Sequence, residues 1–99
     1  MDLTNIPMVR LTWQDAQDAE NGWLERSVME DSSLATCQEV GWLLVDNDEK
    51  VVVARSNIVG EEEGGGCIAI PQSWVLKIEV LEPVMELREL KSQVIDMED

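Results

Sequence analysis

Histidine, tyrosine and phenylalanine are absent from this 99-residue chain, and all four aromatic residues are tryptophan. The lack of His removes the commonest general base, the commonest activator of a Ser or Cys nucleophile and the commonest metal ligand. Cations are scarce as well: seven Lys and Arg stand against 21 Asp and Glu, a formal charge of −14. Nonspecific nucleic-acid binding takes its affinity from cations laid against phosphates, so this balance excludes it. The same excess works against attraction to an anionic membrane surface. No apolar run reaches the length of a membrane-spanning helix. The first residues, Met1-Asp2-Leu3-Thr4-Asn5, are acidic where a signal peptide is basic, and no apolar stretch follows them. The expected location is the cytoplasm. Cys37 and Cys67 lie in apolar, strand-like runs, so they read as reduced, small core residues. A metal site would have to rely on carboxylates, and no cofactor is expected.

What is present points to a folded chain. The hydrophobic content of 44% is that of a globular protein, and the length suits one domain. After a lead-in over 1–7, Met8 to Gln14 alternates, with Val9, Leu11 and Trp13 on one face. Asn21-Gly22 marks a turn, Trp23-Leu24 a possible short strand opening, and 25–35 reads as either a helical turn or a loop. Thr36 to Val45 is β-rich, with Val40, Trp42 and Leu44 on one face and Gly41 marking a bend or bulge. Asp46-Asn47-Asp48-Glu49 is a turn, and Lys50 to Ser56 returns as the second arm of a β-hairpin. Glu61 to Gly66 reads as a solvated loop, and Cys67 to Ile70 as an apolar strand stopped by Pro71. Trp74 to Leu81 alternates again, with Leu76, Ile78 and Val80 sharing a face. From Pro83 onward Val84, Leu87, Lys91, Val94 and Ile95 recur at helical spacing, which predicts an amphipathic C-terminal helix and acidic tail over 83–99. Five or six short strands over 8–82 with one terminal helix predict a mainly β fold, a small closed barrel.

A bent strand, an acidic turn, a valine-rich return, a variable loop, Ile68-Ala69-Ile70-Pro71 and a closing strand together resemble the small Sm-like and SH3-like barrels. The chain is also similar to small acidic proteins of tailed bacteriophages. The resemblance spans about three-quarters of the chain, residues 8–82, and implies that the strand–Pro–turn–strand element closes the sheet. It further implies assembly through sheet edges, hence a homo-oligomer. RNA binding does not follow, because the loops that are basic and aromatic in RNA-binding Sm proteins hold Asp46, Asp48, Glu49 and Glu61 to Glu63 here.

The candidate sites each have a plain alternative. Glu61-Glu62-Glu63-Gly64-Gly65-Gly66 lacks the Lys and Ser/Thr of a phosphate-binding loop, and its carboxylates repel an anion. Asp46, Asp48 and Glu49 lack the alternation of a calcium loop. Trp13, Trp42 and Trp74 read as core or sheet-face residues, whereas Trp23, amid acidic residues, is a candidate interface anchor. The acidity either keeps the protein soluble or steers it to a basic partner. The leading expectation is a non-enzymatic interaction protein, phage-encoded, that binds or inhibits a host protein through Trp23, Asp46, Asp48, Glu61, Glu62 and Glu63. The alternative is an oligomeric binder of a nucleotide signal, with Arg10, Arg55 and Lys77 converging with a Trp in a pocket between subunits. A structural phage component is the third reading.

Overall fold

A computed structural model describes residues 5–18 and 22–88. Strand β1 (Met8–Asp15) buries Val9, Leu11 and Trp13 on one face, as its alternation predicts. A connection then holds a five-residue helix, α1 (Arg26–Glu30), which resolves the ambiguity of 25–35. It buries nothing, and Arg26 pairs with Glu30 one turn away at 2.6 Å. Trp23-Leu24 opens no strand. Strand β2 (Ala35–Asp46) runs antiparallel to β1, and β3 (Lys50–Ala54) returns along it as the predicted hairpin. Two-residue strands β4 (Ser56–Asn57) and β5 (Gly64–Gly65) pair with each other, so part of the expected loop is a small hairpin. Strand β6 (Ile68–Pro71), a 3-10 turn over Gln72–Trp74 and β7 (Val75–Leu81) follow.

The main sheet is antiparallel and five-stranded in the order β6-β3-β2-β1-β7. The mainly β expectation holds, but the barrel does not close: β6 and β7 are the two edges, and among the described residues no ladder joins them. Strand β6 has four residues and ends at Pro71, which has no N–H to offer a neighbour. The short turn between the edge strands still requires the sheet to curl, because it connects opposite ends of the strand order. Residues 82–86 are irregular, and most of the expected C-terminal helix lies outside the described residues.

Val9, Leu11, Val51 and Val53 are fully buried, joined by Trp13, Ala54 and Ile70. Each large apolar side chain so buried contributes about 1.5–3 kcal/mol. Cys37, Leu43, Ile68, Val75 and Ile78 pack against the cluster formed by Val9, Leu11, Trp13, Val51, Val53 and Ile70. Cys67 is exposed, contrary to expectation, since it lies just outside β6.

The face of β2 departs from its apolar pattern. Gly41 is opposite Val9 and faces the core; a Cβ there would lie 2.3 Å from the Ala54 carbonyl oxygen. Cys37, Gly41 and Leu43 therefore face inward, which turns Val40 and Trp42 outward. The register shift predicted near this glycine comes just after it, with Leu44 as the extra residue between Leu43 and Val45. A second shift leaves Leu76 out of the β1–β7 ladder and 57% exposed, so it does not share the inward face of Ile78. Trp74, in the 3-10 turn, is 43% exposed.

Candidate binding cleft

Three strands contribute the outer face of the sheet in cross-strand rows. Gln38, Thr12 and Lys77 form a polar row, followed by Val40, Arg10 and Glu79. The third row is apolar: Trp42, Met8 and Leu81. Antiparallel partners share a face, so side chains of one row are neighbours. The β1–β2 pairing continues one step past this row, where Leu43 N–H donates to the Pro7 carbonyl at 3.0 Å.

A cleft of about 690 Å³ opens over the apolar row, within the size range of ligand sites. Trp42, Met8 and Leu81 line it, with Pro7 and Val80 beside them. The turn after β4 supplies Val59 and Glu61, and the end of β7 leads to Glu82 and Pro83. That turn is held by the Glu61 N–H donating to the Ile58 carbonyl at 3.0 Å and the Ile58 N–H donating to the Glu63 carbonyl at 3.2 Å. Gly60, at φ 82°, takes the left-handed conformation the turn needs. Among the described residues no Lys or Arg lines the cleft, and the charged groups they bring to it are carboxylates.

The expected site residues are dispersed. Glu61 lines the cleft. Asp46 ends β2 and Asp48 lies in the β2–β3 turn, at the opposite end of β3 from Glu61, Glu62 and Glu63. There the Asp46 carboxylate accepts a 2.7 Å hydrogen bond from Gln72 Nε2. Trp23 stands fully exposed ahead of α1.

Of the three cations of the alternative reading, Arg10 and Lys77 meet at one carboxylate and Arg55 lies apart from them. Arg10 donates from Nε and Nη2 to both carboxylate oxygens of Glu79, at 2.9 and 3.0 Å, and Lys77 Nζ approaches the same carboxylate at 3.4 Å. Hydrogen bonding from Arg10 holds the Glu79 carboxyl below its ordinary value, with partial desolvation opposing it. Arg55, beyond β3, donates to both oxygens of Glu39 at 2.7 and 3.1 Å; this bond and the adjacent charge raise its already high pKa. Glu39 is opposite Leu11, on the other side of the sheet from Arg10 and Lys77. Among the described residues no three His, Cys, Asp or Glu side chains form a metal-binding group. No helix among them is long and apolar enough to cross a membrane.

Trp42, Met8, Leu81 and Glu82 escaped the sequence reading as site residues. The signal that finds Trp42 is its position next to Gly41, because a core-facing glycine sends the next side chain outward. Compared with protein families, curated proteins and solved structures, the chain matches none.

Proposed function

We propose that this protein is a non-enzymatic interaction module that captures a basic segment of a partner protein through its anionic surface. The observation that supports it most is the disposition of charge. Carboxylates exceed cations threefold, and Arg10, Arg26, Arg55 and Lys77 are each held against a carboxylate of the same chain. Part of the remaining negative charge is presented by Asp46 and Asp48 at one end of β3 and by Glu61 and Glu63 in the turn after β4, all four exposed. Electrostatic steering of this kind raises association rates and makes binding depend on salt.

The strand order supports the finer reading of an SH3-like or Sm-like sheet, half open, whose two edge strands are consecutive in sequence. Its open edges, with Leu76 and Val80 exposed on β7, favour assembly of copies edge to edge. Light scattering behind size exclusion tests that reading; a monomer at all concentrations removes it.

Polylysine titration across salt tests the charge reading. Expected is saturable binding that weakens steeply between about 50 and 300 mM salt. Absence of binding, or binding indifferent to salt, removes it.

A further inference from the structure

We infer that the cleft over Trp42 is the anchoring site for an Arg side chain of that basic partner segment, flanked by apolar residues. This rests on the charge reading above and adds a place and a side chain to it. The floor of the cleft is the apolar row Trp42, Met8 and Leu81, and its charged lining consists of Glu61 and Glu82. A guest must therefore offer apolar surface below and positive charge at the rim. A carboxylate or phosphate guest would meet repulsion with no compensating cation among the described residues of the lining. A wholly apolar guest would place its hydrocarbon against two carboxylates.

An arginine side chain meets both conditions. Its methylene stem covers apolar surface while its planar guanidinium stacks on an indole and donates to carboxylates. Attraction between a cation and the face of a Trp is strongest among the aromatics. Flanking apolar residues have surface to cover as well, since Val59 is 92% and Val80 66% exposed at the cleft. In a single copy the outer edge of β7, which contributes Val80 and Leu81, is unpaired among the described residues, so an extended chain has room alongside.

The test uses the full chain and an end-blocked Leu-Arg-Leu-Arg-Leu peptide, with its citrulline counterpart as the neutral control. Binding is followed through the tryptophan indole N–H and methionine methyl signals in NMR. Expected are saturable shifts of Trp42 and Met8, with Trp23 unmoved. The citrulline peptide and the Glu61→Gln/Glu82→Gln double variant each bind about tenfold more weakly. Both carboxylates are exposed, and unchanged Val9 and Leu11 methyl signals verify that the variant is folded. Equal affinity for the citrulline peptide, or unmoved Trp42 signals, overturns the cleft assignment. If polylysine still binds with salt dependence in that case, the surface reading stands without the cleft; if neither probe binds, both fall.

Discussion

Arg10 and Glu79, 69 residues apart in sequence, are cross-strand partners joined by a two-pronged ion pair on the outer face of the sheet. Lys77 approaches the same carboxylate from along β7. In a chain of charge −14 this arrangement has two effects. It fastens the edge strand β7 to β1, and it removes two cations from the surface seen by a partner.

The pair makes a signed statement about pH. The folded-state pKa of Glu79 is depressed below its ordinary value of about 4.5. Its stabilising contribution is therefore complete above that value and is lost as the pH falls through the lower, folded-state value. Acidification also relieves repulsion among the other carboxylates, which raises the stability of any variant, so the diagnostic quantity is a difference. The melting-temperature gap between the native protein and Glu79→Gln should be constant from pH 7 down to about 5 and shrink below about 4.5. A gap that widens on acidification contradicts the pairing.

The inward and outward faces of β1 and β2 should separate in stability measurements. Leu11 is fully buried among Val9, Val51 and Val53, so Leu11→Ala removes packed atoms and leaves a cavity. A loss of about 2–5 kcal/mol is expected from urea unfolding. Val40, 49% exposed on the outer face, should lose less than about 1 kcal/mol as Val40→Ala. Equal losses would place Val40 in the core.

Two glycines make a sharper contrast. At Gly41 an added methyl group meets a methyl of Val53 at 2.6 Å and the backbone oxygen of Ala54, which cannot move without displacing β3. Gly41→Ala should destabilise by about 1–3 kcal/mol or more. At Gly65 nothing lies within 4 Å of the added methyl group, and Gly65→Ala should stay within about 0.5 kcal/mol. Thermal melts of the two variants side by side decide the matter.

Strand positions were legible because period-two alternation, turn residues and Pro71 are local signals, and β1, β2, β3 and β7 leave them plainly. Faces were less legible. Extra residues at Leu44 and Leu76 shift the parity that alternation assumes, and the core side of β2 is marked by a glycine rather than by its largest apolar residues. Closure of the sheet was not legible either, since it depends on hydrogen bonds between two edges that alternation does not encode. The cleft draws on Pro7 and Met8, on Trp42, on the turn after β4 and on the end of β7. Only register brings such distant segments together, so local pattern exposed Glu61 as a charge and passed over its apolar neighbours.

The turn joining β2 to β3 is organised from within by Asn47. Asn47 Oδ1 accepts the backbone N–H groups of Glu49 and Lys50, both at 2.9 Å, while the Asn47 N–H donates to the Lys50 carbonyl at 3.1 Å. Gln72 Nε2 then ties the turn to the crossing between β6 and β7 by donating to Asp46 Oδ1 and the Asn47 carbonyl, both at 2.7 Å. Asn47→Ala removes the side-chain acceptor from two N–H groups and should destabilise by about 1–2 kcal/mol. Asn47→Asp keeps an acceptor oxygen but adds charge beside Asp46, Asp48 and Glu49. Its loss should exceed that of Asn47→Ala, or approach it, only at low salt. Raising the salt to about 0.5 M screens the repulsion, and Asn47→Asp should then recover most of the native stability while Asn47→Ala does not. Chemical denaturation with urea, which leaves ionic strength under separate control, reads this difference; parallel behaviour of the two variants would show that the acceptor oxygen is not what holds the turn.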